Sequence, residues 1–157
     1  MKQRFDEIKA AEGREIDAII LNSSPFKRCL STSSMIGREL NISKITVDYD
    51  YCEWLSSMLY AENPIPHLAL RTTDMAELKR ENNWTEFDII DNDQGFAEAN
   101  TRYDESKPTG IERLKKNVAR QAELTKSPEN KGKLIIDINV CHGFFIDETA
   151  KVLGHDV

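Results

Sequence analysis

The sequence predicts an α/β fold in which a mainly parallel sheet carries helices on both faces. Apolar stretches of strand length alternate along the chain with segments whose apolar residues recur every three to four positions. The first pattern is typical of buried strands and the second of amphipathic helices. Strands that alternate with helices favour parallel pairing, because the intervening helix returns the chain to the same end of the sheet.

The first third of the chain predicts a helix, then a strand, a turn and a second helix. Residues 1–12 place sparse apolar side chains at helical spacing and are followed by Gly13, a common helix stop. Residues 16–21 form an apolar run of strand length. In residues 26–40 apolar side chains recur on one helical face, and this helix is expected to end near Asn41.

The middle of the chain gives weaker signals. Residues 45–49 alternate apolar and polar side chains, as in a half-buried strand, and residues 51–60 return to a helical mixture. Residues 61–108 contain prolines and several Asn and Asp residues, with one modest helical stretch at 74–81. We therefore predict that 61–108 is an insertion over the functional site.

The last third predicts one long helix, one strand and a terminal helix. Thr109 and Glu112 match a T-x-x-E capping box at the start of the long helix. Its buried stripe is expected to comprise Ile111, Leu114, Val118 and Ala122. Residues 134–140 form a second apolar run, and residues 144–153 show helical spacing. All these elements fit a single domain that spans residues 1–157.

Composition agrees with one globular domain and excludes several function classes. The chain has 157 residues, 39% of them hydrophobic, and a net charge of −6. Proteins that bind nucleic acid or anionic membranes use surplus Lys and Arg, so we expect neither partner. No apolar run reaches membrane-spanning length or resembles a secretory signal. Cys29, Cys52 and Cys141 lack C-x-x-C spacing, which favours reduced thiols in a cytoplasmic protein without a metal site.

The segment after the first predicted strand has the features of a phosphate-binding loop. Ser24 is suited to cap the following helix, and Pro25 is suited to its first position. The positive end of that helix then faces the loop, where it stabilises an oxyanion. Arg28 lies on the first turn, where its guanidinium can hold two phosphate oxygens. On these residues alone, a capped helix with a solvated Arg28 is an equally good interpretation.

His142 is the second candidate, because it directly follows the last predicted strand and precedes Gly143 and a further helix. The carboxyl ends of parallel strands meet at one edge of the sheet, so His142 and Arg28 are expected to share one pocket. A protonated imidazole there would add another donor for a phosphate. We therefore predict a phosphate site formed by Ser24, Arg28 and His142.

Four segments of the chain occur in the order that one enzyme family shows. They are the S-S-P-x-x-R-x-x-x-T run from Ser23 to Thr32, Glu53-Trp54-Leu55, the loop from Tyr103 to Ser106, and Cys141-His142-Gly143. The chain thereby resembles the histidine phosphatase superfamily, also called phosphoglycerate mutase-like, in its first branch. Within that branch it is most similar to the ecdysteroid-phosphate phosphatase and Sts-like group.

The resemblance implies a role for each matched residue. Arg28 would bind the phosphoryl group, and His142 would stabilise that group during transfer. Glu53, just before Trp54, would donate a proton to the leaving-group oxygen. The implied activity is hydrolysis of a phosphomonoester without a metal or other cofactor, on a phosphoglycerate mutase-like fold.

One departure from the family changes the functional expectation. Family members begin with a strand that ends in Arg-His-Gly, whose histidine attacks phosphorus, and this sequence contains no such motif. The chain also ends before the family's closing elements, so it resembles an interior segment truncated at both ends. The missing strand is central in the family. Its neighbours would close on each other, pair with a second copy, or receive a strand from another segment.

Three functions remain open. The first is a histidine phosphatase-like domain that binds a phosphorylated small molecule or phosphoprotein and is catalytically degenerate. The second is an active phosphomonoesterase whose first strand is missing from this chain. The third is a flavodoxin-like FMN-binding reductase, because residues 20–25 also resemble a flavin-phosphate loop. We favour the first, with a homodimer or a partner chain as one way to complete the sheet.

Overall fold

Four parallel strands form the sheet, and helices connect them along the chain. The computed structural model describes residues 2–154. In that range the α-helices and strands are, in order, α1 (Lys2–Glu12), β1 (Ala18–Ser23), α2 (Lys27–Leu40), β2 (Lys44–Val47), α3 (Ala69–Thr72), α4 (Met75–Glu81), β3 (Asp88–Ile90), α5 (Asp93–Asn100), α6 (Lys107–Lys126), β4 (Ile135–Val140) and α7 (Gly143–Val152). The predicted α/β fold with a parallel sheet is confirmed. No helix in this range is both long enough and apolar enough to cross a bilayer.

The strand order is β3-β2-β1-β4, and all neighbouring strands run parallel. β1 and β4 pair over six positions, from Ala18 opposite Ile135 to Ser23 opposite Val140. The two strands that lead into the predicted site are therefore direct neighbours. Direct pairing of β1 with β4 is the first of the three strand arrangements expected from the sequence.

The main hydrophobic core lies between one face of the sheet and helices α2, α3 and α4. Burial of apolar side chains from both layers supplies most of the driving force for this packing. Its nearly fully buried members include Leu21, Leu30, Ile45, Val47, Leu70, Leu78, Trp84 and Phe87. The apolar face predicted for residues 26–40 contributes Phe26, Cys29 and Leu30 to this core.

The opposite face of the sheet is more polar and is covered by α6 and α7, which pack against each other. Asn22 of β1 donates to Asp137 at 2.7 Å and to Asn139 at 2.9 Å, so these residues of β1 and β4 share that face. Part of the face remains open, since Ile20 is 39% exposed. Helices thus flank both faces, as the sequence predicts.

The start of α2 differs from the prediction. Phe26 occupies the cap position and no side chain caps the helix, so Ser24 is not the N-cap and Pro25 is not the first helical residue. The reason is that the Ser24 hydroxyl bonds to His142 instead, while Phe26 packs into the core.

The start and the buried face of α6 also differ from the prediction. Ser106 caps the helix by accepting the N–H of Thr109, so the T-x-x-E capping box at Thr109 is wrong. A serine followed by a proline in the first turn is the stronger helix start. Of the predicted stripe, Leu114 is buried, Ile111 and Val118 are partly buried, and Ala122 is exposed.

Residues 61–108, which were predicted as an insertion over the functional site, also contribute to the sheet. This segment contains β3, which pairs with β2 as an edge strand of the sheet, and α3 to α5. Three residues are too few for a periodic pattern, which is why the strand was not predicted. Residues 51–60 are not helical either: after one 3₁₀ turn at Tyr49–Tyr51 the chain is irregular.

Candidate anion-binding site

The predicted site residues lie at the carboxyl ends of β1 and β4. Ser24 follows β1 directly, and His142 follows β4 after one residue. β2 lies on one side of β1 and β4 on the other, so the direction of strand order reverses between β1 and β4. In open parallel sheets such a reversal leaves a crevice beyond the strand ends, where ligands bind. Ser24 and His142 therefore lie where the topology favours a binding site.

The imidazole of His142 has a hydrogen-bond partner at each nitrogen. Nε2 lies 2.8 Å from Ser24 Oγ, and Nδ1 lies 2.8 Å from Arg28 Nη2. A guanidinium can only donate, so Nδ1 accepts from Arg28. The neutral ring then carries its proton on Nε2 and donates it to Ser24 Oγ. Because His142 is 4% exposed, these contacts determine the ring orientation.

Phe26 orients both the imidazole and the guanidinium. Its ring stands edge-on to His142, with 5.0 Å between the ring centroids and an angle of 80° between the planes. The guanidinium carbon of Arg28 lies 4.7 Å from the centre of the same ring, within the range of a cation–π contact. Phe26 thus holds Arg28 beside His142.

The Glu53 carboxylate lies close to the same two side chains, His142 and Arg28. Its Oε2 lies 3.3 Å from His142 Nδ1 and 3.5 Å from Arg28 Nη2, and its Oε1 accepts the backbone N–H of Trp54 at 3.1 Å. Burial acts to raise the pKa of Glu53, but the hydrogen bond and charge of His142, together with the Trp54 N–H and the charge of Arg28, outweigh it, and the pKa lies below its ordinary value. Glu53 is therefore negatively charged at neutral pH and balances the charge of Arg28.

The contacts of Nδ1 with Arg28 and with Glu53 belong to different protonation states of His142. In the neutral ring, Nδ1 accepts from Arg28. In the protonated ring, Nδ1 donates to Glu53 and the imidazolium repels the guanidinium. Ser24 Oγ accepts from Nε2 in both states. Protonation of His142 therefore turns Nδ1 from an acceptor into a donor beside Arg28.

A buried ion pair fixes the loop that carries Glu53. Arg113 of α6 makes two hydrogen bonds with the Glu105 carboxylate, at 2.9 and 2.7 Å, and both side chains are nearly fully buried. Its Nη1 donates to the carbonyls of Asp50 at 2.6 Å and Cys52 at 3.2 Å. Arg113 thereby ties α6 to the chain just before Glu53. This role was not predicted, because charged side chains are usually exposed.

Trp54 joins the same loop to α7. Its indole N–H donates to the Glu105 carbonyl at 2.8 Å, and its ring stacks on Phe144 with 5.5 Å between the centroids. Since α7 begins directly after His142, this stack holds Glu53 and His142 at a constant separation.

A cavity of about 510 Å³ lies beside Arg28, Glu53 and His142 and continues along β4. Ser24 does not line it, because Ser24 is fully buried and its hydroxyl contacts the ring nitrogen opposite the one that contacts Arg28. This geometry disfavours a direct contact of Ser24 with a phosphate, which stays a prediction. Ser24 instead positions the His142 ring from the interior.

Cys29 contacts the ring as well and was not predicted as a site residue. Its Sγ lies 3.6 Å from His142 Nε2. Burial is the main cause that raises the pKa of this thiol above its ordinary value, so Cys29 stays protonated and is a poor nucleophile. Cys29 directly follows Arg28 on the first turn of α2, and this position was the one indication in the sequence that Cys29 lies at the site.

The structure brings together all four predicted site residues, with Arg28, Glu53 and His142 at the cavity and Ser24 behind the imidazole. Their roles toward a ligand stay predictions. Within residues 2–154, no group of three or more His, Cys, Asp or Glu side chains is placed to hold a metal ion. A scan against models of protein families, and searches of curated proteins and of solved structures, found no match to this chain.

Proposed function

We propose that the protein binds a phosphorylated ligand in the cavity beside Arg28 and His142 and does not hydrolyse it. The observation that carries this proposal is the approach of the Arg28 guanidinium to within 2.8 Å of His142 Nδ1 beside that cavity. A guanidinium and an imidazolium are both strong donors to phosphate oxygens. Their convergence where strand order reverses supports an anion as the ligand.

An entering phosphate would supply the acceptor that both donors need. The Arg28 side chain is 56% exposed, so its guanidinium has room to turn towards a phosphate oxygen. Nδ1 of His142, released from Arg28, can then take up a proton and donate to a second oxygen. Throughout, Nε2 stays bonded to Ser24 and keeps the ring in place.

Glu53 is the group that opposes binding. Its carboxylate lies within 3.5 Å of both donors and repels a phosphate dianion. Binding therefore requires Glu53 to move away or to take up a proton. A protonated carboxyl at this place is also what a phosphatase needs to protonate a leaving oxygen, which is the role that the family resemblance implies for Glu53.

Hydrolysis through a covalent phosphoenzyme also needs a side chain that attacks phosphorus, and the described residues around the cavity offer no free one. Ser24 is buried behind the imidazole, and His142 Nδ1 contacts both Arg28 and Glu53. Burial raises the pKa of the Cys29 thiol, and that of the Cys141 thiol to about 11, so both keep their protons at neutral pH. In the histidine phosphatases an Arg-His-Gly segment supplies the nucleophile, and the sequence lacks it. We therefore infer a catalytically degenerate, histidine phosphatase-like binding domain.

The strand arrangement argues against both alternative functions. A central strand that restored an active phosphomonoesterase would have to separate β1 from β4, which already pair over six positions. A flavodoxin-like sheet has the order 2-1-3-4-5, with its third strand beside the first. Here β3 lies beyond β2 instead, which disfavours an FMN-binding reductase.

The purified protein is expected to bind phenyl phosphate and to release no inorganic phosphate from it. Calorimetric titration measures binding, and a colorimetric assay for free phosphate measures hydrolysis. Phenylacetate, with the same ring but a planar monoanion, is the control and should bind more weakly. No binding of phenyl phosphate would contradict the proposal. Sustained phosphate release would contradict the absence of turnover and restore the phosphomonoesterase alternative.

Phenyl phosphate binding is expected to strengthen as the pH falls from about 8 to about 6.5, where the ligand is still largely dianionic. The pKa of Glu53 is lowered in the free protein, chiefly by His142, and a bound dianion would raise it. Binding that protonates Glu53 takes up a proton that the free protein has lost, so lower pH favours the complex. Titrations across this pH range measure the effect.

Glu53→Gln removes the repelling charge and is expected to tighten binding about tenfold at about pH 7.5, with a flatter pH profile. Glu112→Gln removes an exposed carboxylate that pairs with Lys115 on α6, and it should change neither quantity. If Glu53→Gln weakened binding, the carboxylate would be a ligand contact and not a group that repels the phosphate.

A further inference from the structure

Among the described residues, one edge of β4 pairs with a strand and the other edge is free. The Ser24 N–H donates to the carbonyl of Val140, so Val140 and every second residue before it direct their backbone groups towards β1. The backbone groups of the intervening residues, Ile135, Asp137 and Asn139, therefore point away from β1. None of the described strands pairs with that side of β4.

This free edge carries few of the features that normally protect an edge strand. Edge strands are usually short, bulged, or interrupted by Pro and Lys. β4 spans six residues, contains no Pro, Lys or Arg, and has Asp137 as its one charged residue. The strand at the opposite edge, β3, is three residues long and begins with Asp88. The edge of β4 is therefore much better suited to pairing.

Apolar side chains lie beside the free edge. Ile36 of α2, Ile138 of β4 and Ile146 of α7 line the part of the cavity that runs along it, and Ile146 is 59% exposed. Met35, next to Ile36, is 69% exposed. A second strand that paired with this edge, together with a helix packed on it, would bury these apolar side chains.

We propose that β4 pairs antiparallel with β4 of a second copy of this chain, about a two-fold axis at Ile138, and so joins two four-stranded sheets into one. In this register Ile138 lies opposite its own counterpart, Ile136 opposite Val140, and Asp137 opposite Asn139. Apolar side chains then meet apolar ones, and each carboxylate meets an amide. Such self-complementarity is what a two-fold contact requires.

The charge pattern disfavours the neighbouring registers. An axis at Asp137 would place two carboxylates directly opposite each other, which is destabilising. An axis at Asn139 would place Asp137 opposite Cys141, whose thiol is a weak donor. A second copy in the register centred on Ile138 is therefore the occupant that matches the free edge best.

The test substitutes Asn139 alone and then swaps the two polar residues of β4, Asp137 and Asn139. At about pH 8, where carboxyl groups are ionised, sedimentation velocity over a concentration series should detect a dimer of the natural chain. Asn139→Asp places carboxylates opposite each other at two symmetric positions and should raise the dimer Kd about tenfold. The double variant Asp137→Asn with Asn139→Asp again sets a carboxylate opposite an amide and should restore the dimer at the net charge of the natural chain.

Three outcomes distinguish dimerisation through β4 from its absence. Restored dimerisation in the double variant supports the proposal, because it follows from this register. A natural chain that stays monomeric at every concentration overturns it. A double variant that dimerises as weakly as Asn139→Asp also overturns it, provided that circular dichroism melting shows both variants folded.

Discussion

Arg113→Met is expected to lower the free energy of unfolding by about 3–5 kcal/mol. The substitution leaves the Glu105 carboxylate, which is 4% exposed, without its bidentate hydrogen bonds from the guanidinium. It also removes the donor to the carbonyls of Asp50 and Cys52. An unpaired buried charge and unsatisfied buried carbonyls each destabilise the folded state. Urea denaturation measures the change.

Two further variants separate the charge effect from a general loss of packing. Lys115→Met lies on the same helix at an exposed position, and it should change the free energy of unfolding by less than about 1 kcal/mol. Adding Glu105→Gln to Arg113→Met removes the orphaned charge and should recover part of the loss. Arg113 would have no structural role if Arg113→Met were as stable as Lys115→Met.

Arg28→Gln is expected to weaken phenyl phosphate binding roughly 10- to 150-fold, which corresponds to the loss of a charge-assisted hydrogen bond of about 1.5–3 kcal/mol. Glutamine retains polarity but has neither the charge nor the two-pronged donor of a guanidinium. The side-chain hydrogen bonds of Arg28 are with His142, Glu53 and Tyr60, near the cavity, so the melting temperature should hardly change. Calorimetric titration and a thermal melt measure the two quantities.

Lys27→Gln is the matched control, because it removes the same charge from the adjacent, exposed position on the first turn of α2. It should leave the affinity nearly unchanged. Equal losses in the two variants would mean that overall charge, and not the arrangement around His142, attracts the ligand. Unchanged affinity in Arg28→Gln would place the ligand elsewhere.

Apolar periodicity was sufficient to predict the long elements. The runs at 16–21 and 134–140 correspond to β1 at Ala18–Ser23 and β4 at Ile135–Val140. A strand that buries one or both faces must carry apolar residues at matching positions, so the pattern is visible in the sequence. β3 could not be predicted in this way, since its burial depends on its pairing with β2 and not on its own three residues.

The candidate site could be predicted only as a set of strand-end residues. Parallel strands bring their carboxyl ends to one edge of the sheet, which is why residues after different strands were expected to meet. Periodicity and motifs do not indicate which strands are neighbours in the sheet. The 2.8 Å contact of Arg28 with His142 exists because β4 pairs with β1 and not with an outer strand.

By itself, the sequence determined the α/β class, the approximate extent of the long helices and of β1 and β4, and the loops that carry donor groups, because each depends on local periodicity. Only the tertiary structure decided that Ser24 holds His142 and does not cap α2, and that Arg113 is buried against Glu105. From the local sequence alone, Ser24 could equally well cap α2 or bond elsewhere, and Arg113 could equally well be exposed or buried in an ion pair. Contacts between distant parts of the chain decide between these alternatives, because desolvated donors and charges must find partners in the folded state.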